Sequence, residues 1–263
     1  MTLLSFDRYC DEIVAQTEQL VSGLAGADLK TMVPSCPEWT LEQLLRHLGG
    51  AHRRVEATVR TRATAFVPDE QVSGIGGPEG QDVGTIVAWL REGAAELVRT
   101  LRATGPDVEV WVFFGTGSVS FWARRMAHET VVHRADVDLT LGAEFAVDQE
   151  VGADTIDEWL QIGALPQLVE ARPELRELLG PGRTLHFHGT DAGPGAEAEW
   201  LIDLTGDAIV VRRAHEKAAV ALRGPIADVL QVVFRRQPVS AGRVEVLGDA
   251  ELLDFWLERV TFG

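Results

Sequence analysis

The strongest constraint on the fold is a change in hydrophobic periodicity near residue 165. Before it, apolar residues recur at helical spacing over several segments, whereas after it they alternate as they do in strands. The helical segments are 6–24, 40–59, 83–103 and 121–139, and a further helix is expected near 148–164. A glycine- and proline-rich loop at 65–82 separates the second segment from the third. The pattern predicts a four-helix bundle with one long crossover loop.

The second half of the chain predicts a small α+β domain. Its strand-like segments are 184–188, 200–204, 208–213, 218–222 and 243–247, and its helical segments are 226–234 and 250–260. Prolines and glycines between 166 and 182 mark the region where the two halves meet. We therefore expect a two-domain α+β protein, with a helical bundle at 1–165 and an α+β domain at 166–263.

The net charge of the chain argues against two classes of partner. The 263 residues include 40 acidic and 24 basic side chains, which gives a formal net charge of -16. An acidic surface repels nucleic-acid phosphates and anionic lipid headgroups, so we expect neither nucleic acid nor membrane as a partner. The N-terminus lacks the features of a signal peptide, and no apolar run is as long as a membrane helix. We expect a cytoplasmic monomer with reduced thiols.

The fourth helical segment carries a pair of residues that are both good metal ligands. Glu129 and His133 are four residues apart, so their side chains lie on one face of the helix. Met126 and Trp122 share that face and indicate that it points into the protein. A carboxylate oxygen and an imidazole nitrogen both bind zinc at about 2.0–2.2 Å.

His47 supplies a third candidate ligand from a different helix. Leu44 and Ala51, one turn before and after it, are apolar, so His47 is also expected to face inward. Helical bundles build metal sites from such facing side chains, and three protein ligands with an open position are typical of catalytic zinc. The alternative is that His47, Glu129 and His133 form a hydrogen-bonded core cluster, in which Glu129 and His133 are a plain helix pair.

The other histidines and a cysteine have weaker signals. His52 and His128 are expected on the solvent side or behind the metal ligands. His186 and His188 alternate along a predicted strand, and although such a pair can bind metal, we expect both to face solvent. Cys36 lies in a loop before the helix of His47, where a structural role is favoured over that of a nucleophile.

Several stretches resemble one known family. They are VPSCPEWT at 33–40, LLRHL at 44–48, RMAHETVVHRAD at 125–136, and, less specifically, the C-terminal run at 224–238 with VLGD at 246–249. Together they resemble the mycothiol-dependent maleylpyruvate isomerase family, which belongs to the DinB-like metalloenzyme group found largely in actinobacteria. The resemblance spans nearly the whole chain and implies a DinB-like bundle followed by a sterol-carrier-protein-like α+β domain.

The resemblance also implies a site and its cofactors. The family's metal ligands fall on His47, Glu129 and His133, and a basic residue from the C-terminal domain falls on Arg236, with Arg235 as the next choice. A divalent metal, expected to be zinc, would bind the thiol mycothiol as a thiolate. Arg236 would hold a carboxylate of the small-molecule substrate.

The implied reaction is a cis-trans isomerisation in which the thiolate adds to an electrophilic alkene and is later eliminated. Three alternatives stay open. The same thiolate would remain attached in a mycothiol S-transferase, a metal-activated water would replace it in a hydrolase, and a non-catalytic protein would use the site only to bind metal or ligand.

Overall fold

A computed structural model describes residues 4–80, 82–193 and 198–260. The chain divides into an N-terminal unit, Leu4–Phe145, and a C-terminal unit that begins at Ala146. The sequence pattern predicts this boundary about twenty residues later, after the helix Gln149–Gly163. That helix belongs to the C-terminal unit because the Trp159 ring packs on Phe234, with 4.4 Å between centroids.

The N-terminal unit is the expected helical bundle with short hairpins added. Its elements in chain order are α1 (Phe6–Ser22), β1 (Met32–Val33), β2 (Cys36–Thr40), α2 (Leu41–Arg60), α3 (Val83–Thr104), β3 (Glu109–Val112), β4 (Gly115–Ser118) and α4 (Val119–Leu141). β1 pairs with β2 and β3 with β4, both antiparallel. Cys36, which the sequence predicts in a loop, instead begins β2 of the β1–β2 ladder.

α2 begins where its sequence signal predicts. The Thr40 side chain accepts a hydrogen bond from the Gln43 backbone N–H, and the Gln43 side chain accepts one from the Thr40 N–H. This capping box satisfies two backbone donors that the helix leaves unpaired. Further along, Gly49 lets α3 approach closely, because a Cβ there would lie 2.1 Å from the Trp89 ring. The cap fixes where the helix that carries His47 begins, and the glycine allows it to pack closely against α3.

The bundle core lies between all four helices. α1 packs against α3 and α4, and α2 packs against the same two helices. α4 is buried around most of its circumference, and it ends at Gly142, whose φ of 68° is a left-handed conformation that suits glycine. The prediction that the α4 face with Met126 and Trp122 points into the protein is confirmed, since both side chains are buried. α4 is therefore the rigid central element on which Glu129 and His133 stand.

The C-terminal unit is the expected α+β domain. Its elements in chain order are α5 (Gln149–Gly163), α6 (Pro166–Ala171), a 3₁₀ turn (Pro173–Leu178), β5 (Thr184–Gly189), β6 (Glu199–Asp203), β7 (Val210–Arg213), β8 (Val220–Gly224), α7 (Ile226–Val233), β9 (Glu245–Gly248) and α8 (Ala250–Arg259). The strand order is β7-β6-β5-β8-β9, in which β5 and β8 are parallel and the other neighbours are antiparallel.

One face of this sheet is covered by helices and forms the core of the unit. Phe187 on β5 and Trp256 on α8 are fully buried, with ring centroids 5.2 Å apart. Along β5 the neighbours of Phe187, His186 and His188, lie on the opposite face because side chains alternate in a strand. Among the helices that the structure describes, none is long and apolar enough to cross a membrane.

Candidate metal centre

α2 and α4 bring His47, Glu129 and His133 together. His47 Nε2 and His133 Nε2 each lie 3.2 Å from Glu129 Oε1. The two imidazole rings are 5.0 Å apart between centroids and nearly perpendicular. The potential ligand atoms of all three residues lie within 4.8 Å of one another. Residues 82 positions apart in the sequence therefore present a nitrogen, an oxygen and a nitrogen to one point, which is a donor set that divalent transition metals accept.

The three residues differ in their exposure to solvent. The side chain of His47 is 41% exposed, whereas Glu129 is half-buried and His133 is buried. The inward orientation predicted for His47 is therefore only partly correct, because its ring lies at the rim of the bundle and leans towards Glu129. The Trp39 ring, 4.8 Å away between centroids, packs against the His47 ring. The cluster is thus accessible to a small molecule from the side of His47.

A buried carboxylate behind the cluster was missed by sequence reasoning. His133 Nδ1 lies 2.9 Å from Asp136 Oδ2, and Asp136 is fully buried. The other oxygen of Asp136 accepts a hydrogen bond of 2.5 Å from the Ser35 hydroxyl. Asp136 stands three residues after His133, a spacing that puts both on one helix face and that could have found it. Cys36, next to Ser35, is partly exposed and is not in a disulfide.

Charged neighbours set the protonation states of the cluster. Burial raises the pKa of Glu129, but the Arg125 guanidinium and the His133 ring lower it more, so that its pKa lies well below its usual range. Arg125 also donates a hydrogen bond to Glu129 Oε2. Burial lowers the pKa of His133, whereas Glu129 and Asp136 raise it, with a net result of about 9. The site therefore holds an ionised carboxylate at neutral pH, paired with the Arg125 guanidinium and the His133 ring.

Burial decides between the two placements expected for His52 and His128. Both are fully buried, so the solvent-side placement is wrong. His52 Nε2 lies 3.0 Å from the Thr130 hydroxyl, and burial lowers the pKa of His52 to about 4. His128 packs edge-on against the Tyr9 ring. The burial of both rings comes from helix packing, which their sequence neighbours alone do not reveal.

Arg236, the predicted substrate-binding residue, belongs to the C-terminal unit. Its Nη1 donates a hydrogen bond of 2.6 Å to the Phe234 carbonyl, just after α7. Arg235, the second choice, has a φ of 60°, in the left-handed region that non-glycine residues rarely adopt, and it ends the helix. The role of Arg236 stays a prediction.

His186 and His188 also differ from expectation. His186 is buried rather than exposed to solvent, and its Nε2 lies 3.0 Å from Glu199 Oε2 on β6. His188 is only partly exposed. His215, in the loop between β7 and β8, contacts the same Glu199 carboxylate. His186, Glu199 and His215 form a second cluster of potential ligands, in the C-terminal unit. Sequence reasoning missed Glu199 and His215 because only the strand pairing brings them to His186.

Two family models match the chain, one in each half. Residues 10–138 match the mycothiol maleylpyruvate isomerase N-terminal domain, and residues 162–254 match the SCP-2 sterol transfer family. Residues 10–138 thus belong to the mycothiol maleylpyruvate isomerase N-terminal domain family, and the chain combines this domain with an SCP-2-like domain. The resemblance drawn from the sequence motifs and the predicted α+β two-domain fold are both confirmed.

Two solved structures resemble the chain along almost its whole length. A mutant form of the mycothiol-dependent maleylpyruvate isomerase gives a TM-score of 0.59 at 15% identity, with 94% of this chain and 95% of that chain covered. The crystal structure without a stated mutation gives a TM-score of 0.57 at 17% identity, with the same coverage. At such identities the likeness shows the shared fold. No curated protein sequence matches the chain.

Proposed function

We propose that this protein is a metal- and thiol-dependent enzyme that isomerises a small electrophilic substrate. The observation that carries the proposal is the convergence of His47 Nε2, Glu129 Oε1 and His133 Nε2 from two helices at an accessible rim. His2Glu sets of this kind are typical of catalytic zinc, because they leave a coordination position for a ligand. Zinc is therefore the proposed ion. Mycothiol is the proposed thiol because both similar structures are of a mycothiol-dependent isomerase.

Residues around the three ligands hold them in a metal-binding state. His133 Nδ1 donates a hydrogen bond to Asp136, which orients the ring, and Nε2, which carries a proton facing Glu129 in the metal-free protein, would give up that proton to bind an ion. Arg125 holds the other oxygen of Glu129 and keeps the carboxylate ionised. The Trp39 ring limits the rotation of His47. Each ligand therefore has a fixed orientation before any ion arrives, which lowers the cost of binding it.

A divalent ion held there would supply a positive charge that lowers the pKa of a thiol and favours its thiolate form at neutral pH. The exposed side of His47 gives the thiol a path to the site. Asp136 and Arg125 stabilise the ligands throughout, and neither donates a proton in the scheme.

The thiolate would add to a cis alkene conjugated to a carbonyl group. A carbon–sulfur bond forms, the alkene electrons move to the carbonyl oxygen, and the former double bond can rotate. Reversal of the electron flow breaks the carbon–sulfur bond and yields the trans alkene and the thiolate. Atoms and electrons balance without an oxidant or reductant. Arg236 is proposed to pair with a substrate carboxylate, for which a guanidinium is well suited.

The test begins with the His47→Ala variant, whose removed side chain lies at the rim of the bundle rather than in its core. Tag-free wild type should retain about one ion at this centre and convert maleylpyruvate only when mycothiol is present. His47→Ala should lose both the ion and turnover. His128→Gln changes a histidine outside the cluster on the same α4 helix and is the matched control for metal content.

Product analysis separates the alternatives. A trans isomer formed without net consumption of thiol supports the proposal. A stable thioether product would identify a transferase, and turnover without any thiol would identify a hydrolase. An unchanged metal content in His47→Ala would contradict the proposed metal centre.

A further inference from the structure

The sheet of the C-terminal unit places three imidazoles around one carboxylate. His186 and His188 stand on β5, Glu199 stands on β6, and His215 follows β7. Glu199 Oε2 lies 3.0 Å from His186 Nε2 and also accepts a short hydrogen bond from His215 Nδ1. Glu199 Oε1 lies 3.5 Å from His188 Nε2. All four side chains therefore share one location on the face of the sheet away from Phe187.

The three rings are nearly equidistant. Their centroids are 5.9 Å apart for His186 and His188, 5.6 Å for His186 and His215, and 6.0 Å for His188 and His215. Zinc–nitrogen bonds of about 2.0–2.1 Å put the ring centroids of two ligands on one tetrahedral ion about 5 Å apart. The observed triangle thus needs to contract by less than about 1 Å to enclose an ion. The ligand atoms of His186, Glu199 and His215 already lie within 4.8 Å of one another.

Strand pairing holds two of the four side chains in place. Glu199 is the direct antiparallel partner of His188. Residues opposite each other in a sheet have Cβ atoms about 5 Å apart, so this pair keeps its spacing as long as the sheet is formed. His186 is buried, whereas the side chain of His215 is 79% exposed and stands in a loop. The cluster therefore combines a rigid part with a residue that can close over an ion.

A cleft gives an ion access to the cluster. It has a volume of ≈ 390 Å³, and its lining includes His188, Glu199 and His215. An entry path, a suitable donor set and matching spacing are the features expected of a functional metal site. Imidazole and carboxylate donors together favour zinc, copper or nickel over magnesium or calcium.

We propose that His186, Glu199 and His215, with His188 as a fourth donor, form a second site for a divalent transition-metal ion, and that zinc binds there. The ion would join β5, β6 and the loop after β7. It is independent of the proposed centre at Glu129, because the two sites share no residue.

The experiment uses the full-length chain without an affinity tag, since a histidine tag would bind metal itself. Metal is removed with a chelator, and the protein is dialysed against buffered Zn²⁺ before elemental analysis. The expected content is two zinc ions per chain for the wild type and one for His215→Ala. Glu129→Gln should also retain one ion, and the double variant should retain none. Glu216→Gln, which removes a neighbouring exposed carboxylate paired with Arg212, should keep both ions.

A second measurement distinguishes a variant that lacks the zinc site from one that binds little zinc because it is misfolded. Zn²⁺ should raise the melting temperature of Glu129→Gln by several degrees but should not raise that of the double variant, because a ligand that binds only the folded state stabilises it. Equal zinc content in the wild type, His215→Ala and Glu199→Gln would overturn the proposal. If instead Glu129→Gln keeps as much zinc as the wild type while His215→Ala loses one ion, the second site stands and the N-terminal centre fails.

Discussion

The two histidine–glutamate clusters of this protein use the same residue types but differ in what surrounds them. At the bundle cluster, Glu129 is held by Arg125 and His133 is held by the buried Asp136. At the sheet cluster, Glu199 is contacted by three imidazoles, one of which, His215, is largely exposed. Side chains outside the first cluster therefore orient its ligands, whereas in the second cluster the candidate ligands contact one another.

The difference in how the ligands are held predicts a different role for each cluster. Ligands with fixed tautomers and fixed charges bind an ion in one geometry and leave the same position open each time, as catalysis requires. Ligands drawn from strands and a loop can adjust to the ion, which suits a site that stabilises structure. We therefore expect turnover to depend on the bundle cluster and stability in zinc to depend on the sheet cluster.

The largest effect is expected from Glu129→Gln. The substitution removes the charge that both histidines face and leaves Arg125 without its carboxylate. Loss of a ligand should weaken zinc binding by more than about 100-fold, since loss of a supporting residue alone typically costs 10–100-fold. Zinc affinity is measured by competition with a chelator, and Glu96→Gln, on the exposed face of α3, is the control. Zinc affinity within a few-fold of wild type would contradict the assignment of Glu129 as a ligand.

A smaller effect is expected from Asp136→Asn. The amide keeps the shape of the side chain but loses the charge that holds His133 Nδ1. We expect zinc affinity at the bundle cluster to fall by about 10–100-fold, with the bound ion still detectable at high zinc concentration. The competition titration used for Glu129 reports the change. If Asp136→Asn binds zinc as tightly as the wild type, Asp136 does not strengthen metal binding by orienting His133, and the proposed difference between the two clusters is wrong.

The pH dependence of stability offers a third test, in metal-free protein. The pKa of His133 is raised to about 9 in the folded state from an ordinary value of 6.5. A raised pKa means that its stabilising contribution is complete below pH 6.5 and is lost as the pH rises through 9. The difference in unfolding free energy between the wild type and His133→Asn should therefore be larger at pH 6 than at pH 9.5. Urea denaturation at both pH values measures it, and a constant difference would refute the charged pair with Glu129.

The smallest effect is expected from His215→Ala without metal. Its side chain is largely exposed, so the substitution should change the free energy of unfolding by less than about 0.5 kcal/mol. His186→Ala removes a buried hydrogen-bonded ring and should cost about 1–3 kcal/mol. Urea denaturation of the two variants in chelator compares them. A large loss for His215→Ala would mean that the loop is part of the folded core rather than an adjustable ligand.

Most of the fold could be predicted from local patterns. The capping box at Thr40 and Gln43, the glycine that ends α4, and the alternation along β5 all act within a few residues, so they are legible in the sequence. The boundary predicted at 165 leaves α5 with the bundle, because the helical spacing of a segment does not show which unit it packs against. Only the packing of Trp159 on Phe234 shows which unit that helix completes.

By itself, the sequence determined the helices of the bundle, the strands of the C-terminal sheet, the family resemblance, and the three candidate ligands of the bundle, because helical spacing and short motifs are local properties. The tertiary structure alone decided that Ser35 reaches Asp136, that His52 is buried, and that Glu199 and His215 meet His186. These contacts join residues through side-chain direction, burial and strand register. Such relations depend on how distant segments pack, so no short stretch of sequence contains them.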